Sequence, residues 1–522
     1  MSLFMGVDAS TQSISALVAD TDTGRIAGEA SVSFSEFPEF NCPQGFLPHD
    51  DPLVKHADPL VWLAGLEQLF ARLQDDGIDL AAIRGISGSG QQHGTVYLGN
   101  AFLAPDGWDA SGGLVNMVRP LLSRTTAPLW MDSATSAECR EITAAAGGSK
   151  AVQRITGSPP VERFSGPQIR KFYKDDPDAY DHTAVVHLVS SFMASILAGR
   201  NAPVDLGDGA GMNLLNLAKG DWDERMLEAT APDLRERLPA PVPSDSAVGF
   251  IADHFVRTFG FTEGTPVVAW SGDNPNSLIG VGAHAPGTAV ASLGTSHTYF
   301  AAMSEPRVDP AGYGHVFGNP AGGFMSLICF KNGALAVEDI RKKHDLSWEA
   351  FSECLRQTPP GNNGNMLLPY FVPEITPLVL QAGVIRSGSR AFERGEDAAA
   401  SARAVVEAQA LRLRLHSDWI RDETKALRVT GGASVNTEIC QILADVFNAR
   451  VERLETGNSA ALGAALRAAH CVTQQSWDAL ASVFCKPVAG MDVLPIPEHV
   501  AQYERMLDTY ATFAANHRKA EH

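Results

Sequence analysis

At 522 residues the chain exceeds what one hydrophobic core holds and suits two domains or three, while 45% hydrophobic and 19% charged residues place it with soluble globular proteins and not with disordered or membrane ones. Acids outnumber lysines and arginines, 60 to 41, and the resulting formal charge of −19 argues against a nucleic-acid backbone as the partner. It leaves room for a phosphate held by main-chain N–H groups. Seven widely spaced cysteines without a Cys-x-x-Cys read as reduced thiols, not as a disulfide framework or a zinc site. The N-terminus lacks a signal-peptide pattern and no apolar run is long enough for a bilayer, so a cytoplasmic protein with no membrane partner is expected.

In chain order, residues 3–7 read as an apolar strand that stops at Asp8-Ala9-Ser10-Thr11-Gln12, and Ile14, Ala16 and Val18 alternate after it to complete a hairpin. A third strand is expected over 25–34. Small residues at such a turn let N–H groups approach phosphate oxygens; Ser10 and Thr11 add hydroxyls, and Asp8 offers a metal ligand. Leu60, Leu63, Leu66, Phe70 and Leu73 recur at helical spacing within 57–75. The strand over 83–87 opens into Gly88-Ser89-Gly90-Gln91-Gln92-His93-Gly94. Its amides and imidazole suit a polyhydroxylated ligand, although a single His is more often structural. Residues 100–123 show no period and read as an irregular excursion. Asp132, in Trp130-Met131-Asp132-Ser133, serves either as the cap of a helix over 134–145 or as an acceptor for sugar hydroxyls. Arg163, ahead of a helix over 168–173, reads as an ion-pair residue. Residues 205–213 read as a Gly- and Asp-rich loop without the glutamate that would complete a calcium site.

The apolar residues 267–270 end at Ser271-Gly272-Asp273-Asn274-Pro275, which reads as a strand followed by a helix over 276–282. Asp273 then stands at a strand's carboxyl end, where ligands of open α/β sheets lie and where a carboxylate is placed to take a proton. The competing reading makes Asp273 or Asn274 a helix cap, with Pro275 at the first helical position. Residues 288–302 repeat the N-terminal pattern of strand, small-residue turn (Leu293-Gly294-Thr295-Ser296) and strand, which suggests a duplicated domain. A helix over 398–422 and a strand over 427–430 lead to Gly431-Gly432-Ala433-Ser434 and a helix over 436–448. The glycine pair either admits a phosphorylated ligand or is a plain tight turn. The small residues of 458–469 let a neighbour come close.

Together, Gly-Gln-Gln-His-Gly (90–94), Trp-Met-Asp-Ser (130–133), Glu-Arg-Phe-Ser-Gly (162–166), Gly-Met-Asn-Leu-Leu (211–215), Gly-Asp-Asn-Pro (272–275), Ser-Leu-Gly-Thr-Ser (292–296), Cys-Phe-Lys-Asn-Gly (329–333) and Thr-Gly-Gly-Ala-Ser (430–434) resemble the motifs of the FGGY carbohydrate kinases. Within that family the chain is most like the eukaryotic-type D-xylulose kinases. The resemblance implies an α/β architecture of two actin/hexokinase-like (ribonuclease H-like) domains with a ligand cleft between them. Residues 1–285 would carry the sugar and the first phosphate loop, and 286–522 the nucleotide. It implies ATP-dependent phosphorylation of D-xylulose to D-xylulose 5-phosphate, with Asp273 as general base. His93, Arg163, Asn274, Gln92 and Asp132 would contact the ketose, and Asp8 would hold Mg²⁺. Ser10, Thr11, Gly294, Thr295, Trp348, Gly431, Gly432, Ala433 and Asn436 would surround ATP. Many relatives place Gly where this chain has Ser10. A kinase for ribulose, fuculose or glycerol, and a non-catalytic nucleotide-driven binding protein on the same fold, remain alternatives. The implied partners are a sugar and ATP, for a monomer or homodimer.

Overall fold

A computed structural model of the chain describes residues 2–104, 108, 110–420, 422–455 and 457–518. In its first unit, β1 (Leu3–Ala9) pairs antiparallel with β2 (Ser13–Asp20), and β2 with β3 (Arg25–Ser33). On its other side β1 runs parallel to β4 (Ile83–Gly90). Beyond β4 come β5 (Ala247–Phe250), at the sheet edge, β6 (Pro266–Val268), between them, and the short β7 (Ser271–Gly272), which also pairs with β4. All seven residues of β1 are buried, as expected of a central strand covered on both faces. One face is covered by the helix Leu60–Asp75, whose buried stripe includes Leu63, Leu66 and Phe70.

The other face takes the helix Ser459–Thr473. A Cβ on Gly6 would lie 1.9 Å from the carbonyl oxygen of Ala461, so strand and helix meet backbone to backbone. Small residues on both partners permit this contact. The first unit comprises Met1–His284, Val316–Met325 and Gly457–Cys485; the second comprises Ala285–His315, Ser326–Thr456 and Lys486–His522. The first break falls beside the expected position, and two segments of the second half return to the first unit.

In the second unit β8 (Thr288–Leu293) pairs antiparallel with β9 (His297–Met303), and β10 (Phe324–Phe330), which belongs to this unit from Ser326 on, follows β9. On the other side β8 runs parallel to β11 (Ala426–Thr430), and β11 to β12 (Arg450–Arg453). The order β10-β9-β8-β11-β12 reproduces β3-β2-β1-β4-β6, so the hairpin repeat belongs to a repeated sheet.

Three expectations are corrected. Residues 206–212 are not a loop but two buried helical turns, started when the Asp205 carboxylate accepts the N–H of Asp208 at 2.7 Å. The long helix ends at Ser417 and continues as the 3₁₀ turn Asp418–Ile420. Residues 100–123 include the helix Leu114–Val118, whose Leu114, Met117 and Val118 are buried; positions 105–107 and 109 lie outside the described residues. No described helix is long and apolar enough to cross a membrane, and none of the seven cysteines is in a disulfide.

Candidate functional site

Asp8 lies near the end of β1 and Asp273 directly follows β7, the two strands that flank the end of β4. Asp8 is paired with Ser89 across β1 and β4, and Ser271 with Ser89 across β7 and β4, so one row of the sheet carries all three residues. The next row holds Ala9, Gly90 and Gly272, and the chain leaves the sheet at Asp273. Gly272 is demanded by space: a Cβ there would lie 2.5 Å from Gln92 Cγ and 2.8 Å from Asp208 Oδ1. Asp273 opens the helix Asp273–Gly280, not one beginning at 276. The N-cap is Gly272 and no side chain caps it, so neither Asp273 nor Asn274 is a helix cap. Pro275 occupies the third position, where a missing N–H costs nothing. Asp273 Oδ1 accepts hydrogen bonds from the Asn274 N–H (2.8 Å) and Nδ2 (3.0 Å), and that Nδ2 also donates to Gln92 Oε1 at 2.9 Å.

Asp8 and Asp208 are buried, each with an Oδ1 that has no hydrogen-bond partner; their Oδ2 atoms accept from the hydroxyls of Ser10 and Ser190. Burial raises the pKa of all three carboxyls. Asp208 lies well above the ordinary range, with the charges of Asp205 and Asp273 adding to burial; Asp273 is raised to about 7, with the charge of Asp8 adding. Asp273 alone of the three retains intermediate solvent exposure. No group of three His, Cys, Asp or Glu side chains gathers as a ligand set among the described residues. Magnesium is usually held by one or two carboxylates plus phosphates, and Asp8 with its unpartnered Oδ1 fits that role.

The Gln-Gln-His turn lies alongside. His93 adopts φ +72° and donates from Nδ1 to the Gly211 carbonyl at 2.8 Å. Burial and the nearby Arg163 charge lower its pKa to about 3, so the ring is neutral and Nε2 is an acceptor. Phe164 packs on the imidazole, with centroids 4.4 Å apart, and the Arg163 guanidinium stands 5.6 Å from the Phe164 ring. Arg163 thus belongs to the His93 group. Thr11 Oγ1 accepts from the indole N–H of Trp130 at 2.8 Å and lies 3.5 Å from Gln91 Oε1. Trp130 is 45% exposed, so a broad aromatic face stands beside the Ser10-Thr11 turn.

Asp132 is occupied by the protein itself. It accepts from the N–H groups of Lys55 (2.9 Å) and Ala134 (3.0 Å) and from Gln168 Nε2 (2.7 Å). Although burial opposes it, these bonds and His56 hold its pKa below the ordinary value.

In the second unit, Gly431 (φ +87°) lies against Leu293: a Cβ would be 2.8 Å from the Leu293 carbonyl carbon. The contact places the turn Gly432–Val435 beside Gly294 and Thr295. Gly294 O accepts from the Ala334 N–H at 2.9 Å, and a Cβ on Gly333 would lie 2.7 Å from Thr295 O. Thr295, Gly431 and Gly432 are exposed and Ala433 is half-buried, leaving this backbone open to a ligand. Asn436 caps the helix Thr437–Phe447, accepting from Glu438 and Ile439, and donates from Nδ2 to Ser352 Oγ at 2.8 Å. Ser352 lies one turn after Trp348, which is 46% exposed with Arg341 5.2 Å from its ring.

Each unit therefore gathers its own group: Asp8, Ser10, Thr11, Gln92, His93, Arg163, Asp273 and Asn274 in the first, and Gly294, Thr295, Gly431, Gly432, Ala433, Asn436 and Trp348 in the second. Sequence reasoning missed Asp208, hidden in a segment read as a loop. It also missed Asn276 and Arg467, which carry no motif signal.

The N-terminal domain of the FGGY family of carbohydrate kinases matches residues 119–280, and the C-terminal domain of that family matches residues 289–472. The chain is 39% identical to a xylulose kinase of Rattus norvegicus over 97% of this chain and 95% of that protein. It is 38% identical to xylulose kinase 2 of Arabidopsis thaliana over 90% and 87% of the two. Among solved structures, a xylulose kinase from Rhodospirillum rubrum aligns with a TM-score of 0.82 at 20% identity, covering 98% of each chain. A Plasmodium falciparum glycerol kinase with ADP aligns at 0.79 and 17%, again over 98% of each. These structures share the fold.

Proposed function

The chain belongs to the FGGY family of carbohydrate kinases, and on that premise we propose that it transfers the γ-phosphoryl group of ATP to the terminal hydroxyl of D-xylulose, giving D-xylulose 5-phosphate and ADP. Asp273 is the general base. The observation that carries this reading is a half-buried aspartate just past a strand end, its carboxyl's pKa raised by burial to about 7, beside the Gln92 and His93 turn. A base is most effective when its pKa lies near the working pH.

The hydroxyl proton passes to Asp273 as the sugar oxygen bonds to the γ-phosphorus and the bond from phosphorus to the ADP oxygen breaks. Most of the catalysis in such a transfer is alignment and charge stabilisation. Neutral His93 accepts a sugar hydroxyl at Nε2, Arg163 and the unpartnered Gln92 Nε2 donate to sugar oxygens, and the Asn274 amide oxygen accepts from a sugar hydroxyl. Asp132 shapes the pocket edge through Gln168 and the Lys55 backbone. Ser10 holds Asp8, while Thr11 and Thr295 meet the phosphoryl group being transferred. Gly294, Gly431, Gly432 and Ala433 offer open backbone to the phosphates, Trp348 an aromatic face to the nucleotide, and Asn436 fixes the turn. Asp8 would hold Mg²⁺ through a coordinated water, the ion supplying charge neutralisation at the phosphates.

ADP release measured with D-xylulose, ribulose, fuculose, glycerol and no sugar tests the reading. D-xylulose is expected to give the highest kcat/KM. Preference for another sugar would move the substrate, and sugar-independent release alone would favour a nucleotide-driven binding protein.

A further inference from the structure

Arg467 lies in the middle of the helix Ser459–Thr473 and is 1% exposed. Its Nη1 donates to Asn276 Oδ1 at 3.1 Å, its Nη2 donates to the carbonyls of Ser244 (2.6 Å) and Ala269 (2.7 Å), and Nη2 stands 3.7 Å from Asp205 Oδ2. A guanidinium only donates, so the Asn276 amide cannot turn its nitrogen toward Arg467. That nitrogen instead donates to the carbonyls of Gly88 (3.2 Å) and Gly272 (3.0 Å). The Gly272 carbonyl belongs to the peptide that carries Asp273. Along the same approach Ala269 is held by Arg467, and the Ser271 hydroxyl donates to Asp205 at 2.7 Å.

Packing alone already joins the two helices. A Cβ on Gly463 would lie 1.9 Å from Asn276 O, and one on Gly280 would lie 1.9 Å from Ser459 O. Burying a guanidinium is costly, and apolar side chains hold helices together as well. What the guanidinium adds is a direction for one amide. We propose that Arg467 and Asn276 are positioning residues of the phosphoryl-transfer site, fixing the Gly272 peptide against β4 so that the Asp273 carboxyl keeps its aim at the sugar hydroxyl. The inference rests on Asp273 acting as the base.

The variant Asn276→Asp tests it, because a carboxylate still accepts from Arg467 but cannot donate to Gly88 or Gly272. Displacing a reacting group by about 1 Å costs on the order of 10²-fold in rate, so kcat is expected to fall about 10- to 100-fold. KM for ATP and for D-xylulose should stay within about twofold, since neither ligand touches Asn276, and kcat is taken per folded protein because the carboxylate facing two buried carbonyls lowers the melting temperature. Arg467→Lys, which keeps a charge beside Asp205 but loses the fork, should show the same split. If Asn276→Asp does not accumulate as folded protein, Asn276→Ser and Arg467→Lys are read in its place. An unchanged kcat in a folded variant, or a fall in activity that only tracks the folded fraction, overturns the positioning role. Full activity in Asp273→Asn would instead remove the general-base reading, so the two failures are separable.

Discussion

In the second unit the buried Glu374 carboxylate lies 2.6 Å from Arg412 and accepts from the N–H groups of Lys331 (2.7 Å) and Asn332 (3.2 Å), and its pKa is held below the ordinary value against the effect of burial. In the first unit Asp8, Asp208 and Asp273 are raised by burial, Asp208 and Asp273 also by neighbouring carboxyls. The sheets have the same strand order, so topology does not account for the contrast. The Glu374 pair braces the turn before Gly333, and Gly333 presses on Thr295; its charges are compensated and its role is to hold backbone. Asp8, Asp208 and Asp273 have no such counter-charge to offset their burial, as suits groups that meet a proton, a metal ion or a phosphate.

Replacing one acid from each unit should break this comparison most sharply. Asp273→Asn keeps the acceptor facing Asn274 but cannot take a proton, so kcat is expected to fall by about 10² to 10⁴. Stability should move the other way, with the variant melting above the parent at pH 8, because an ionised acid that burial disfavours has been removed. Near-normal turnover would return Asp273 to a structural part. Glu374→Gln leaves Arg412 buried without its counter-charge and is expected to cost about 3–5 kcal/mol of stability, read by denaturant titration. A variant as stable as the parent would mean that the pair does not brace the loop.

Acidity sharpens the same contrast through opposite slopes. Asp273 has an ordinary pKa of 3.8 and a folded value of about 7, so between them the folded chain holds a proton that the unfolded chain has lost. Its contribution to stability therefore falls as pH rises through that window, and the advantage of Asp273→Asn should vanish below about pH 4. Glu374 is lowered, so its contribution is present above its ordinary 4.5 and lost as pH falls through its folded value. The deficit of Glu374→Gln should shrink in acid. For the reaction, kcat/KM for D-xylulose should climb to a plateau with a midpoint near 7; a pH-rate profile flat between 5 and 8 contradicts that assignment.

Much of this was legible in the sequence where local chemistry and position coincide. The hairpin at Asp8 and the turn at Gly431 are apolar runs stopped by small residues and sit where they were read, whereas the run 267–270 is a strand only to Val268 and Ser271–Gly272 forms a second short strand. The Asp273 cap reading failed because Gly272 adopts the extended cap conformation (φ −71°, ψ 162°) and Asp273 already lies inside the helix, a difference of one residue that spacing does not resolve. Asp208 was illegible because its glycines suggest a loop while burial makes two turns of helix. Arg467 was illegible because its partners Asn276, Ser244 and Ala269 are about 190 to 220 residues away in sequence. The return of Gly457–Cys485 to the first unit depends on the same long-range contacts.

Smaller effects are expected at the two turns themselves. Thr11→Val removes the hydroxyl that accepts from Trp130, and Thr295→Val removes an exposed hydroxyl with no described partner. If both meet the phosphoryl group, each should lower kcat about tenfold, the order of one neutral hydrogen bond made in the transition state, while calorimetric D-xylulose affinity stays unchanged. An unaltered rate in both variants would leave the repeated hairpin as architecture alone.

The smallest expected change separates scaffold from contact at Asn436. Its Oδ1 caps the helix Thr437–Phe447, and its Nδ2 ties the turn to Ser352, on the helix that carries Trp348. Loss of an Asn cap costs about 0.5–2 kcal/mol, so Asn436→Ala should lower the stability of the second unit by about 1 kcal/mol. Asn436→Asp keeps the cap acceptor and loses only the donor to Ser352, so it should remain close to the parent in stability. The two variants then divide the role of the side chain. If Asn436 serves the nucleotide by fixing Trp348 against the Gly431 turn, both should weaken binding of an ATP analogue while D-xylulose affinity is untouched. If only Asn436→Ala weakens it, the helix cap and not the tie to Ser352 shapes the site. Analogue affinity unchanged in both would remove Asn436 from the nucleotide group and leave that group to the open backbone of Gly294, Gly431 and Gly432.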